Sequence, residues 1–166
     1  LLYKKEEEKP YSGIVTITEG DKIIKKEVYE NGKLNSAKGY YENGNIKAIG
    51  TYVNGILNGK YVIYAANGDK KSEIDYTNGK KEGIEKIYFG KNLQYEITYE
   101  DGKKNGNYVK YYQDGNIEVK GNYAEDRKDG LWQGISKKGT LAWEENFQGG
   151  VLNGTYVKYD KNGNKI

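Results

Sequence analysis

Residues 108–123 read YVKYYQDGNIEVKGNY, and the fold is decided by how this stretch is read. YVKYY (108–112) is a short aromatic and β-branched run, the composition of a strand. Asp114-Gly115 follows, a strong hairpin-turn signal, because Gly enters positive φ at no steric cost. Asn116 to Tyr123 then alternates apolar and polar residues, the period of a strand with one face buried and one face wet. The segment is a β-hairpin.

The same hairpin recurs along the chain. Gly59, Gly83, Gly106, Gly130 and Gly154 are spaced by 24, 23, 24 and 24 residues, and Ser36 and Gly13 continue the series backwards in steps of 23. Self-similarity at such a period marks a repeat architecture. The units are 11–33, 34–56, 57–80, 81–103, 104–127, 128–151 and a partial 152–166. Residues 1–10 (LLYKKEEEKP) lie outside the pattern and read as a charged leader outside the fold. Within the units, Gly44, Gly68, Gly115, Gly139 and Gly163 are the structural turn positions, expected at positive φ in two-residue loops with the residue before them. In the fourth unit Lys91-Asn92 stand there, and Asn tolerates positive φ. The links between units carry Asn31-Gly32, Asn54-Gly55, Asn78-Gly79, Asp101-Gly102 and Gly149-Gly150.

The second strand of each unit has one apolar face: Ile46, Ala48, Tyr52; then Leu93, Tyr95, Ile97, Tyr99; then Ile117, Val119, Tyr123; then Leu141, Trp143, Phe147. First strands place aromatics at Tyr61, Tyr108, Trp132 and Tyr156, with Tyr64, Tyr88, Tyr111 and Tyr159 three residues further on. A three-residue step changes face unless a bulge intervenes.

Composition narrows the chemistry. The chain of 166 residues has 36% hydrophobic and 31% charged residues, close to the balance at which disorder sets in. Its 18 Tyr, 2 Trp and 2 Phe against a single Pro argue for a folded but thin structure, since Tyr buries a ring while keeping its hydroxyl wet. With no His and no Cys, Ser-His-Asp and Cys-His catalysis, the common zinc sites, His-ligated haem and disulfides are excluded. The net charge is only +3, and Arg127 is the one Arg among 27 basic residues. Nucleic-acid readers lean on Arg's planar fork, so no nucleic-acid partner is expected. No apolar run approaches the roughly 20 residues of a membrane-spanning helix.

Segments such as YYENGNIKAIGTYVNGILNGKY (40–61) and YYQDGNIEVKGNY (111–123) resemble the MORN repeat, closest to the bacterial variant type catalogued in antitoxin-like proteins. The resemblance covers roughly 11–166. The first unit, IVTITEGDKIIKKEVY (14–29), lacks the Asn-Gly turn and looks like a terminal cap. The resemblance implies an all-β repeat array of consecutive antiparallel hairpins forming one elongated twisted sheet. It also implies a scaffold that binds proteins or membrane lipids and does not catalyse. No kinase signature accompanies it.

Carboxylates are the remaining acid–base groups. Glu144-Glu145 are neighbours on a strand and point to opposite faces, while Glu100-Asp101 and Glu125-Asp126 fall in turns. No cleft is therefore expected to gather three or more ionisable groups, and neither a metal site nor a cofactor is expected. The aromatic ladder is first of all structural. Its candidate binding residues are Trp132 and Trp143, then Tyr108, Tyr111, Tyr156 and Tyr159. Recurring Lys in the turns could form a basic stripe giving weak contact with anionic lipid, diluted by neighbouring acids.

The sequence thus reads as a non-catalytic repeat scaffold binding a protein partner. The alternatives are an antitoxin-like inhibitor of a toxin and a membrane-surface recognition module. TYVKYDKNGNKI (155–166) opens a hairpin whose strand lacks a full partner, which favours edge-to-edge self-association through the C-terminal unit. The Lys-, Asn-, Ile- and Tyr-rich bias points to a bacterial source. The charged leader and the missing initiator Met favour export to the periplasm or cell surface over the cytoplasm.

Overall fold

The computed structural model describes residues 9–166, so most of the leader expected at 1–10 lies outside the described residues. Alternating strand patterns punctuated by glycine turns produce fourteen strands and, among the described residues, no helix. They are β1 (Gly13–Glu19), β2 (Lys22–Glu30), β3 (Lys33–Tyr40), β4 (Ile46–Val53), β5 (Ile56–Tyr64), β6 (Lys70–Thr77) and β7 (Lys80–Phe89). There follow β8 (Asn92–Glu100), β9 (Lys103–Tyr111), β10 (Ile117–Ala124), β11 (Arg127–Ile135), β12 (Leu141–Gln148), β13 (Val151–Leu152) and β14 (Val157–Lys158).

The chain divides into two compact units, residues 1–80 and 81–166, at the 80/81 boundary that the repeat spacing also marks. In the first unit β1 to β6 pair in chain order, every pair antiparallel. In the second, β7 to β13 do the same, and β14 joins β12 beside β13. Beyond β14 the chain turns back on itself: Tyr159 bridges Lys165, and the Ile166 amide donates to the Lys158 carbonyl at 3.0 Å.

The hairpins use two kinds of turn, and they are distributed differently from the sequence reading. Within repeats, the Gly44, Gly68, Gly115, Gly139 and Gly163 amides each donate to the carbonyl three residues back, at 2.8–3.0 Å. The glycines have φ of 84, 90, 88, 82 and 86°, while Asn43, Asn67, Asp114, Lys138 and Asn162 before them are not at positive φ. These are three-residue loops: a type I turn followed by a left-handed glycine. The Asn43, Asn67 and Asp114 carboxamide or carboxylate oxygens reinforce them by accepting the amide two residues on, at 3.1, 3.1 and 3.0 Å. The two-residue loops with both residues left-handed lie at the links instead, as in Asn31-Gly32 (49, 73°), Asn54-Gly55 (54, 80°) and Asp101-Gly102 (51, 86°). Even Glu125-Asp126 adopts this shape, at 50 and 65°. In the fourth repeat Gly90 takes positive φ at 59°, and Asn92 is already in β8.

Bulges recur with the repeat. The register slips by one residue at Lys47, Lys71, Gln94, Glu118 and Ala142, each near the start of a second strand. Successive link turns are stitched to one another by backbone bonds. In the second unit, for example, Gly102 N donates to Lys81 O at 2.9 Å, Asp126 N to Lys104 O at 2.9 Å and Gly150 N to Lys128 O at 2.8 Å.

Each strand places one residue in a continuous cross-strand row. In the first unit the row is Glu27, Ala37, Gly50, Tyr61, Ile74. In the second, Glu85, Ile97, Tyr108 and Gly121 are in register, and Trp132 pairs with Glu145 beyond the bulge. The deepest side chains lie in these rows: Trp132 is 2% exposed, Ile74 3%, Ala37 6%, Ile97 7% and Glu85 8%. We call the face that carries them the spine face.

The turn geometry predicts asymmetric tolerance to alanine. Gly115→Ala forces a Cβ into left-handed backbone and should cost about 1–2 kcal/mol. Gly39→Ala, where φ is not positive and the new Cβ meets nothing within 4 Å, should leave stability unchanged or raise it. Chemical denaturation of the two variants checks this.

Candidate functional site: the spine face

In the second unit the spine face is closed by packed rings. Tyr108 lies 5.1 Å from Trp132, 5.8 Å from Tyr123 and 6.1 Å from Tyr95, centroid to centroid, and Trp132 is 5.2 Å from Tyr123 and 6.4 Å from Phe147. The geometries are tilted or edge-to-face, as ring quadrupoles prefer. Room for the indole is made by glycine: a Cβ on Gly121 would stand 2.2 Å from the Trp132 ring. The indole N–H donates to the Asn122 carbonyl at 3.0 Å. Lys128 sits 4.3 Å above the Trp132 ring and 4.6 Å from that of Phe147, and Lys104 sits 5.1 Å from the Tyr123 ring. Each such contact contributes about 0.5–2 kcal/mol.

This placement corrects the reading of Trp132 as a ligand contact. At 2% exposure it is the most buried large side chain of the described residues, the keystone of the second unit. Trp143 is half-buried on the same face, two pairs further along the hairpin, with its ring over Gly134, where a Cβ would stand 2.0 Å from its Nε1. Tyr108 is half-buried inside the cluster. Tyr156, 45% exposed, stands over Lys158, whose ammonium is 5.9 Å from its ring.

Tyr111 and Tyr159 point the other way. The Tyr111 hydroxyl donates to Glu96 and the Tyr159 hydroxyl to Glu144, both at 2.6 Å. Glu96 and Glu144 neighbour the spine residues Ile97 and Glu145, so they lie on the opposite face. The three-residue step from Tyr108 to Tyr111 therefore does change face. Glu144 and Glu145 likewise point apart.

Local electrostatics follows from burial. Desolvation, helped by the charges around it, pushes the Tyr108 hydroxyl up to about 12. Burial and then the bond to Glu96 do the same to Tyr111, also to about 12. In the first unit the Lys25 ammonium, 2.6 Å from Glu27, holds the Glu27 carboxyl below its usual range. Glu85 is buried at 8% on the spine, where neighbouring repeats carry Tyr61 and Tyr108, and is neutralised by Lys81 at 2.7 Å. Among the described residues no group of three or more His, Cys, Asp or Glu is placed to hold a metal ion.

The spine face of the first unit is open. A groove of about 660 Å³ lies over Ala37, Gly39, Ala48 and Gly50, walled by Tyr40, Tyr41, Tyr52 and Tyr61. Glu19, Lys25, Glu42 and Lys47 stand around it. A cleft gathering four ionisable groups departs from the sequence expectation. The bulge at Lys47 and the β1–β2 turn bring charges of different repeats together, which unit-by-unit spacing does not show. Glu42 is 90% exposed on its side chain and bridges Lys22 at 3.2 Å, so this carboxylate remains in water.

The family model for the MORN repeat variant matches residues 35–54 and 104–125. Those segments are most of the β3–β4 hairpin in the first unit and of the β9–β10 hairpin in the second. The chain carries MORN repeats of the variant type at these two positions, and repeats in a consecutive-hairpin sheet fit a repeat scaffold. No curated protein matches the chain.

The shifted tyrosines predict an alkaline limit to stability. A hydroxyl whose folded pKa is raised favours the fold below the unfolded value of 10.0, and that contribution is lost as pH rises towards the folded value of about 12. Stability should fall by about 1–2 kcal/mol per shifted hydroxyl across that window. Tyr108→Phe should flatten the fall, as read by denaturation at a series of pH values.

Proposed function

We propose that the protein is a non-catalytic repeat scaffold that binds a protein partner through its spine face. One observation carries this reading: a face that elsewhere packs shut on its own rings is left open over β3–β5, as a groove with tyrosine walls and a small apolar floor. Such a surface suits side chains of a polypeptide, with aromatic walls supplying contact area and the rim supplying polar partners. An inhibitor that occupies a toxin, the antitoxin-like form of the reading, uses the same surface.

Charge supports the protein reading over the lipid one. Lys25, Lys81 and Lys110 are paired with Glu27, Glu85 and Glu118 at 2.6, 2.7 and 2.7 Å, and Lys104 and Lys128 rest on rings. A headgroup-binding stripe needs uncompensated cations.

Random-peptide display against the intact chain, followed by hydrogen-exchange footprinting of an enriched peptide, tests the reading. The expected footprint is protection of β3, β4 and β5, with binding that persists at high salt. Absence of any enriched peptide, together with sedimentation on anionic vesicles that salt abolishes, would overturn it in favour of the lipid module.

A further inference from the structure

Two hollows of the second unit repeat one another at the edge of its sheet where the loops within repeats lie. The first, of about 230 Å³, lies beside Phe89, Leu93, Tyr111 and Gln113. The second, of about 280 Å³, lies beside Ser136, Leu141, Tyr159 and Lys161, the residues two repeats further along. In both, a leucine and a tyrosine form the walls, and the tyrosine hydroxyl is tied down, Tyr111 to Glu96 and Tyr159 to Glu144, each at 2.6 Å. The repeat between them is closed. There the Tyr112 hydroxyl reaches across to donate to the Ile135 carbonyl at 2.8 Å, as the Tyr41 hydroxyl does to the Tyr64 carbonyl in the first unit. Phe89 and Ser136 stand at the position of Tyr112 in the neighbouring repeats, 23 residues before it and 24 after. Neither makes the clasp. Phe89 has no hydroxyl and leaves its ring 70% exposed, and the short Ser136 side chain shares a hydrogen bond with Thr140 Oγ1 at 2.7 Å.

We propose that the two hollows together hold one extended segment of a partner polypeptide, which inserts an apolar side chain into each. The proposal rests on the protein-binding reading, adds a contact surface in the second unit and names the pattern a partner must carry. Size favours side chains: both hollows fall below the roughly 300–1,000 Å³ of a small-molecule site. Spacing sets the pattern. Leu93 is in β8 and Leu141 in β12, four strands on, so the hollows lie about 19 Å apart at about 4.8 Å per strand. An extended chain crossing the strands covers that distance in about six residues. Residues i and i+6 of an extended chain project to the same side, so both anchors can enter at once. The side-chain amides of Asn92, Gln94 and Gln113 around the first hollow offer donors and acceptors to the partner's backbone. Charge sets the polarity. Among the described residues no charged side chain lines the first hollow, whereas Lys137, Lys138 and Lys161 line the second. The Asp160 carboxylate among them is occupied by the Asn162 and Asn164 amides at 2.8 and 2.9 Å. An acidic residue beside the second anchor is therefore complementary.

The test titrates the acetylated and amidated peptide Leu-Ser-Thr-Ser-Thr-Ser-Leu-Glu into the intact chain, followed by nuclear magnetic resonance. Saturable shifts are expected at the Leu93 and Leu141 methyl groups, with affinity at least about tenfold above that of a peptide carrying only one of the two leucines. A peptide with its leucines three positions apart should bind no better than the single-anchor peptide. Phe89→Tyr supplies the missing hydroxyl and Ser136→Tyr the missing ring. Each should close its hollow and lower the affinity to the single-anchor value, with the circular dichroism spectrum unchanged. Because Phe89→Tyr adds only an oxygen at an exposed site, it keeps the proposal falsifiable should Ser136→Tyr misfold. Absence of saturable shifts, equal binding irrespective of anchor spacing, or unchanged affinity in the folded variants overturns the proposal. Concentration-dependent dimerisation that Phe89→Tyr abolishes overturns the partner assignment in favour of a second copy, and salt-sensitive sedimentation on anionic vesicles that Lys161→Gln abolishes does so in favour of lipid. Display peptides that protect β3 to β5 while leaving the Leu93 and Leu141 signals unmoved sink the two-hollow site and leave the protein-binding reading standing.

Discussion

The structure depends on steric exchange between rings and glycines along the cross-strand row of each unit. A sheet one layer thick has no second layer to bury its face against, so each ring must find its cover within the sheet. Trp132 does so by lying over Gly121, and Tyr61 by lying over Gly50, each made possible by the hydrogen that replaces a side chain. Cross-strand pairs of this kind are the units of sheet stability. The row holds nearly all of the deeply buried side chains, and the rest of the molecule is arranged to keep it in register.

Turns and bulges serve that register. A two-residue loop sets paired residues an odd number of positions apart, and a three-residue loop an even number. In the hairpins with three-residue loops the bulge at Lys47, Lys71, Glu118 or Ala142 restores the odd spacing, so that Ala37 meets Gly50 and Tyr108 meets Gly121. The link turns add stitches from one hairpin to the next at one edge. Lys81, Lys104 and Lys128 occupy repeat positions where the first unit has Leu34 and Leu57, and each lies over a ring, at 4.6, 5.1 and 4.3 Å from Tyr99, Tyr123 and Trp132. Long aliphatic stems can cover a row while the ammonium stays wet. Half of what looks like a basic stripe in the sequence is thus part of the packing.

The repeat period, the strand alternation and the positive φ of the turn glycines were legible because each has a local cause in the residue itself. Turn type was not. Asn-Gly is compatible with both loop forms, and the choice between them is made by where the strands must land. The burial of Trp132 was missed for a similar reason: its neighbour in space is Gly121 on the preceding strand, across a bulge, so alternation along either strand alone does not bring the two together. The groove was missed because its lining comes from β1 and β2 together with β3 to β5, and the pairing of Gly39 with Ala48 that lays its floor follows from a bulge that spacing along the chain does not show.

The central claim is that ring and glycine form a single steric unit, and a double-mutant cycle on Trp132 and Gly121 tests it most directly. In the native background Gly121→Ala drives a Cβ into the indole and should cost about 1–3 kcal/mol. In the Trp132→Ala background, where the ring is gone, the same change should be neutral or stabilising. The account therefore predicts a coupling energy of at least about 1 kcal/mol, measured by denaturation of the four proteins. Additive effects, with Gly121→Ala equally costly in both backgrounds, would contradict it.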